Sequence, residues 1–257
     1  MKLIQTMKKH QFLFEELVKR DFKKKYKGTF LGVAWSLLSP LLTLLVMRII
    51  FTNFFGRNTP HYTTYLFCGN LIFTFFSDST TNGMTALRSN AAIYSKVNIP
   101  KYMFLLAKNV QTTISFLITM VVLFIFAALD HITFSWLFIQ LLYSVGCLML
   151  LNLGTGLILS ALYVFFRDMQ YLYDVFLKLL MYFSAIFYTV DTFSPQFQKL
   201  FLINPVYVNI KFFRMIIIDG VCPSPQYYAL MFCVPAVIFA IGCWMYKKFN
   251  TRFLYYV

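Results

Sequence analysis

Long runs without charged residues constrain this chain more than any other feature of its sequence. A helix needs about 20 mostly apolar residues to cross the hydrocarbon core of a bilayer. Five segments meet this requirement: 30–52, 102–128, 134–163, 173–190 and 227–246. A sixth segment, 63–85, is weaker because it leads into the polar stretch SDSTTNGMTALRSN, so its inner end should be buried in protein or hydrated. We therefore predict an all-α membrane protein with six transmembrane helices.

Composition and charge agree with this fold class. The chain is 60% apolar and 12% charged, about half the charge of a typical soluble domain. A net charge of +14 would suit nucleic acid, but the apolar runs leave no room for a basic face on a soluble scaffold, so we expect no nucleic-acid partner. With both termini in the cytoplasm, 16 Lys and Arg lie on the inner side and four on the outer side. This bias satisfies the positive-inside rule and predicts a multi-pass protein of the bacterial cytoplasmic membrane.

Sequence signatures of catalysis are missing. There is no G-x-x-x-x-G-K-[ST] phosphate loop, H-E-x-x-H or G-x-S-x-G, so the chain should not hydrolyse ATP itself. Its three His are far apart and its five Cys form no C-x-x-C pair. We predict no metal site, no cofactor bound by this chain and no enzymatic activity.

The basic amino-terminal region predicts an amphipathic helix over residues 6–26. Phe14, Leu17, Val18 and Phe22 share one side, and Glu16, Lys19, Arg20, Lys23 and Lys27 share the other. Asp21 and Lys25 intrude on the apolar side, where their i, i+4 spacing would let them neutralise each other. The alternative is a solvated run of charge that serves only topology.

Three further segments suggest moving or packing parts. The apolar pieces within 191–219 are too short or too charged to cross and contain prolines, which predicts a re-entrant hairpin and candidate gate, or simply a structural cap. In the loop after the second span, Asn90 should cap a short helix over 91–97. This helix could transmit movement between the two neighbouring membrane helices; the alternative is an ordinary loop. Small residues at 28, 32, 36 and 40, and those of NLGTGLILS, favour close helix packing, possible also between two copies.

Aromatic residues are unusually abundant, with 31 Phe and 17 Tyr. Rings pack against the C–H faces of sugars while each contact stays weak enough to allow sliding. Rings near the outer ends of the first and fifth spans could therefore line a path for a glycan. The alternative is ordinary packing in the core and at the interfaces.

Three blocks together resemble the membrane subunits of ABC-2 type polysaccharide exporters, a group that moves O-antigen, teichoic acid and capsule polymers. The blocks are RDFKKKYKGTFLGVAWSLLSPLL, SNAAIYSKVNIPKYMFLLA and FYTVDTFSPQFQKLFLINPVYVNIKFFRMIIIDG. The resemblance covers the whole chain, 1–257, as one domain, with an interface segment 1–29 before a six-span domain 30–257. It implies a homodimer joined to two copies of a separate ATPase, which binds the ATP and Mg²⁺, and an undecaprenyl-diphosphate-linked glycan as cargo.

The resemblance also implies roles for particular residues. Asn90, Tyr94, Lys96, Val97, Pro100 and Lys101 would couple the chain to the ATPase. Arg20, Lys23, Lys24, Lys25 and Lys27 would form a cationic rim for the lipid diphosphate. Trp35, Phe51, Phe55, Tyr182, Phe187 and Tyr188 would line the glycan channel, and Phe193, Pro195, Asn204 and Pro205 belong to the outer gate.

Three other functions stay open at this point. An ABC-2 exporter of a small drug-like or lipid substrate would keep the family and change the cargo. A membrane-embedded transferase would need an acidic or His constellation that the sequence does not offer. A passive channel would work without any ATPase.

Overall fold

A computed structural model describes residues 10–27, 30–55, 60–96, 99–249 and 252–254. These residues form α-helices, short 3-10 turns and connecting loops, with no strand among them, which confirms the all-α prediction. We number the helices in chain order: α1 Gln11–Tyr26, α2 Trp35–Phe55, α3 Tyr62–Ser89, α4 Ala91–Tyr94, α5 Tyr102–Leu129, α6 Leu141–Phe165, α7 Met169–Phe183, α8 Pro195–Phe201, α9 Pro205–Ile217 and α10 Pro225–Phe249.

The centre of the molecule is a bundle in which α6 packs between α3 and α10, and α3 also packs against α5. Glycines permit the closest approaches. A Cβ on Gly83 of α3 would lie 3.1 Å from the Cα of Gly156 in α6, and a Cβ on Gly154 would lie 2.6 Å from the backbone nitrogen of Phe239 in α10. The small residues of NLGTGLILS therefore serve packing within one chain.

The two ends of the bundle differ. The α1 end holds α1, the loop around α4 and the segment Arg252–Leu254, and its buried apolar cluster includes Leu17, Tyr94 and Phe253. The hairpin end holds α8 and α9, whose cluster includes Phe201 and Tyr207. The described residues nearest to the two termini thus lie at the same end, as an even number of passes requires.

Among the described residues, three helical segments are long and apolar enough to cross a membrane: Tyr102–Leu129, Trp136–Phe165 and Pro225–Phe249. The pair α8 and α9 would make a fourth if it counted as one span, but it bends by 105°. A shorter apolar helix, Leu37–Phe51, lies within α2. The middle of α3 is polar, and Ser79 and Thr80 are buried there, as predicted for the weaker segment.

The predicted helical span 173–190 is wrong at its carboxyl-terminal end. Helix α7 has 15 residues and ends at Phe183, and Ala185 adopts a left-handed backbone with φ of 49°. Hydropathy alone continues the helix through Ile186, but side chains from elsewhere bind the carbonyl groups of this segment. Arg214 donates hydrogen bonds to the carbonyl oxygens of Ala185 and Ile186. Tertiary hydrogen bonds replace the helical ones at this position.

Helix α1 starts at Gln11, and residues 6–9 of the predicted helix lie outside the described part of the chain. It packs against α5. Leu17 is buried while Lys19 on the opposite side is exposed, so the amphipathic pattern is confirmed.

Candidate functional site

The polar contacts of the α1 end centre on Asp21, which is buried. Its Oδ1 accepts hydrogen bonds of 3.0 and 2.8 Å from Nε and Nη2 of Arg20, and its Oδ2 lies 3.2 Å from Nζ of Lys108 in α5. Asp21 therefore pairs with Arg20 and Lys108. The expected pairing with Lys25 stays a prediction, because the side chain of Lys25 lies outside the described residues. A carboxylate with two cationic partners can tolerate burial that an isolated one could not.

Arg20 extends this network to the loop after α3. Its Nη2 also donates a 2.8 Å hydrogen bond to Oδ1 of Asn90, whose Nδ2 donates to the carbonyl oxygen of Ala86 at 2.8 Å. The prediction that Asn90 caps a helix over 91–97 is wrong, because its side chain makes no cap bond and α4 is only four residues long. The Asn90 side chain is committed to Arg20 and α3 and so cannot bind the first amides of α4.

The remaining predicted coupling residues divide into packed and exposed ones. Tyr94 is buried, and the Lys101 ammonium lies 5.9 Å from its ring centre and 5.6 Å from that of Phe253. Burial lowers the pKa of Lys101 and raises that of Tyr94. Lys96 is exposed, Pro100 is half-buried, and Val97 lies outside the described residues. Of this set, Lys96 is available to a docking partner, while Tyr94 and Lys101 hold the loop in place.

The predicted cationic rim is only partly a free surface. Lys23, Lys24 and Lys27 are exposed. Arg20 is committed to Asp21 and Asn90, so it acts in positioning the helix as well as in carrying charge.

At the hairpin end, four of the six predicted channel residues come together. The rings of Phe51 and Phe187 stack with centroids 4.5 Å apart, and the Tyr182 ring lies 6.5 Å from Phe187. The Tyr188 hydroxyl donates to the carbonyl oxygen of Tyr182 at 2.7 Å. We call these four residues the aromatic cluster. Trp35 lies elsewhere, in a cleft between α2, α3 and α5, and the Phe55 side chain is outside the described residues.

The predicted gate residues organise the hairpin. Pro195 and Pro205 begin α8 and α9, where a missing amide proton costs no hydrogen bond. Asn204 caps α9 by accepting from the amide of Val206, and its Nδ2 donates to the carbonyl oxygen of Phe183 at 3.2 Å. The Phe193 ring packs 5.9 Å from that of Tyr188, which places the hairpin against the aromatic cluster.

Arg214 of α9 was missed as a functional candidate by sequence reasoning, which counted it only as an outer-side charge. It is buried, its guanidinium lies 3.4 Å from the ring centre of Tyr65, and it donates to the carbonyl oxygens of Tyr65, Ala185 and Ile186. No carboxylate among the described residues pairs with it. The sequence contained a signal for this role, because Arg214 is a single Arg among the apolar residues FFRMIII. Burying a guanidinium costs free energy unless it is fully hydrogen-bonded.

The described side chains make structural contacts between segments of the chain: ion pairs, hydrogen bonds to carbonyl oxygens and ring contacts. Within the described segments, no three His, Cys, Asp or Glu side chains lie close enough together to hold a metal ion. Long helices connect the α1 end, which carries the Asp21 ion pairs, to the hairpin end, which carries the aromatic cluster. The profile of the ABC-2 type transporter family matches residues 13–218.

The chain belongs to the ABC-2 type transporter family. The match begins within α1 and ends just after α9, so it includes the Asp21 network, the α4 loop, the aromatic cluster and the hairpin. Permeases of this family work with an ABC ATPase.

Curated relatives of this ABC-2 transporter include O-antigen export permeases and a polysialic acid transport protein. The chain is 27% identical over 247 residues to the O-antigen export system permease protein RfbA of Klebsiella pneumoniae, an alignment that covers 94% of this chain and 95% of the relative. It is 23% identical to RfbA of Myxococcus xanthus over 92% of each chain. It is also 23% identical to the polysialic acid transport protein KpsM of Escherichia coli, over 80% of this chain and 81% of the relative.

Proposed function

We propose that this ABC-2 transporter is the permease subunit of an exporter for an undecaprenyl-diphosphate-linked polysaccharide of the O-antigen, teichoic acid or capsule type. The observation that carries the proposal is the near full-length similarity to O-antigen permeases, together with similarity to a polysialic acid transport protein. These relatives handle different glycans by name, and what they share is a polymer of sugars as cargo.

In this proposal two copies of the chain and two copies of a separate ABC ATPase form the working unit. Each copy crosses the cytoplasmic membrane six times with both termini inside. Support comes from the positions of the helix ends: α1 and Phe253 share one end, while the start of α10 lies at the other, where Tyr228 donates to Gln140. ATP and Mg²⁺ are bound by the partner.

In this proposal the ATPase acts on the chain at the α1 end. The exposed Lys96 and the rest of the α4 loop dock on the ATPase, and the exposed Lys23, Lys24 and Lys27 face the diphosphate of the cargo. Because Asp21 and Arg20 join α1, the α4 loop and α5, movement of the loop is transmitted to a transmembrane helix.

The glycan leaves past the aromatic cluster and beneath the hairpin. Phe187 is nearly buried whereas Tyr182 is 61% exposed, so the cluster has one ring in the core and one available to a cargo or a second copy. The hairpin acts as a gate because Asn204 and Phe193 connect it directly to the segment that carries these rings.

Depletion of the chain tests the proposed cargo. Cells without it should accumulate a lipid-linked glycan inside the cytoplasmic membrane, and the wild-type gene should clear that pool only when the ATPase partner is active. A pool of small lipid or drug-like molecules, with normal surface glycan, would contradict the proposal and favour the alternative ABC-2 exporter.

A further inference from the structure

A second recessed surface lies away from the aromatic cluster, between α2, α3 and α5. The cleft has a volume of about 550 Å³, within the range of roughly 300 to 1,000 Å³ that small-ligand sites occupy. Its back wall contains the rings of Phe75 and Phe116, which stack with centroids 4.4 Å apart. Trp35 of α2 stands at its edge, 40% exposed.

Polar side chains from three helices face this cleft in register. Helix α3 contributes residues four apart along one face, and α2 and α5 contribute hydroxyl groups at helical spacing. They are Asn70, Thr74 and Asp78 on α3, Ser39 and Thr43 on α2, and Thr112, Ser115 and Thr119 on α5. Side chains at these spacings lie on one face of a helix, so the polar faces of all three helices converge on the same space.

The polar side chains of the cleft lie near the middle of their helices. Thr74 is the 13th of the 28 residues of α3, and Ser115 is the 14th of the 28 residues of α5. Both sites are near mid-helix, where a bilayer offers no hydrogen bonds. Thr74 is exposed in the cleft, so hydrocarbon is an unsuitable filling.

Hydrogen bonds already present decide which ligand chemistry fits. The Thr43 hydroxyl donates to the carbonyl oxygen of Ser39 at 2.9 Å, and that of Thr112 donates to the carbonyl oxygen of Asn109 at 2.9 Å. Their protons point along their own helices, so toward the cleft these groups present oxygen atoms that accept. These acceptors suit a ligand that donates hydroxyl protons and lays C–H faces on rings.

We infer that this cleft binds a short stretch of sugar hydroxyls of the exported glycan, in each protomer, at a site separate from the aromatic cluster. The inference rests on the proposed function and adds a second contact region for the same cargo. Rings at the back and acceptors along the sides give a hold that fixes the plane of a sugar and its hydroxyl pattern. The aromatic cluster, in contrast, lies at the hairpin end, and its Tyr188 hydroxyl donates to the carbonyl oxygen of Tyr182.

Cysteine accessibility tests whether the cleft is wet and whether glycan fills it. In the complete complex in membranes, with the five native cysteines replaced, we compare Ser115→Cys with Leu117→Cys. The two positions are about 3 Å apart along the helix axis, and Leu117 is exposed on another face of α5. A charged, water-soluble methanethiosulfonate should modify position 115 about ten times faster, because a thiol reacts as the hydrated thiolate.

Protection supplies the second readout. Loading the complex with the lipid-linked glycan extracted from depleted cells, with an ATPase partner that cannot hydrolyse ATP, should slow modification at position 115 at least fivefold or so and leave position 117 unchanged. Equal rates at the two positions, or fast labelling at 115 without protection, would overturn the inference.

Filling the cleft with a large side chain gives a second test, which does not require replacement of the native cysteines. Thr74→Trp should cut glycan export several-fold while Leu117→Trp, on the other surface, leaves it near normal; equal export by both would overturn the inference alone. If depleted cells accumulate no lipid-linked glycan, the proposed function is overturned and the inference with it.

Discussion

The two ends of the molecule bind an inward-facing cation in different ways: Lys108 is half-buried and Arg214 is buried. At the α1 end, Lys108 meets the carboxylate of Asp21, which Arg20 also binds. At the hairpin end, Arg214 meets only carbonyl oxygens and the ring of Tyr65 among the described residues. An ion pair between helices can be broken and remade when solvent or a charged partner reaches it. A guanidinium held by carbonyl groups of two segments, α3 and residues 185–186, fixes the backbone conformation there.

This difference matches the functions proposed for the two ends. The α1 end must respond to a partner protein, and Arg20 is 42% exposed at its side chain, so its network is open to outside charge. The hairpin end must keep the unwound segment after α7 in one conformation beside the aromatic cluster. Arg214 does so by holding Ala185, whose left-handed backbone costs about 1 to 3 kcal/mol.

The largest effect should come from Arg214→Met, which removes every donor to three carbonyl groups. We expect a loss of about 3 kcal/mol in stability, because buried acceptors lose their partners. The purified protein in detergent should unfold at a clearly lower Tm. Arg214→Lys keeps the charge but lacks the planar fork, so its loss should be intermediate.

Lys211→Met on the same helix is the matched control, because its ammonium only lies over the Tyr227 ring at 5.8 Å. It should change the Tm little. Equal losses for Lys211→Met and Arg214→Met would remove the special role of Arg214.

Asp21→Asn should have the next largest effect, since it leaves Lys108 near a neutral amide. Breaking a fully buried pair costs about 3 to 5 kcal/mol, and because the side chains of Arg20 and Lys108 are partly exposed, we expect a smaller loss of about 2 kcal/mol. Glu16→Gln, in an exposed pair with Lys19, should cost less than about 0.5 kcal/mol. Thermal unfolding of both variants checks the order; an equally stable Asp21→Asn would mean that the network is not needed for the fold.

Asn90→Ala should act on coupling more than on stability. It removes the acceptor for Arg20 while Arg20 keeps Asp21, so we expect a stability loss of about 1 kcal/mol. Stimulated ATP hydrolysis should persist while the glycan exported per ATP falls. Glu16→Gln, in the exposed pair with Lys19 on α1, is the control. Parallel loss of hydrolysis and export would argue against a transmission role.

The smallest change should follow Phe187→Leu, which preserves apolar volume but removes the stack with Phe51. An aromatic pair contributes about 0.5 to 1.5 kcal/mol beyond its buried area, so stability should fall by about 1 kcal/mol while export slows several-fold. Phe197→Leu, 59% exposed on α8, is the matched control. Export unchanged in both would separate the aromatic cluster from the glycan path.

The parts predictable from sequence were those set by local pattern. Apolar runs predicted α5, α6 and α10, and the helical wheel predicted which side of α1 packs, with Leu17 buried. Prolines within 191–219 predicted breaks in its apolar pieces, and α8 and α9 begin at Pro195 and Pro205, where proline loses no hydrogen bond.

The parts that sequence reasoning did not predict depend on partners far apart in the chain. Spacing within a helix suggests Lys25 as a partner for Asp21, but it cannot show Lys108, which lies on another helix. The span ending at 190 was too long because Arg214, almost 30 residues later, binds the backbone at Ala185. The cleft that contains Trp35 needed the packing of three helices, which no single periodicity reveals.

Reconstitution tests the central claim most directly. Vesicles that contain the chain, its ATPase partner and the lipid-linked glycan, with the ATPase facing outward, should move glycan into the lumen, where added glycosidase cannot reach it. We predict that protection requires ATP and falls to background when either protein is left out. Glycan protected to the same extent without the ATPase or without ATP would contradict the account.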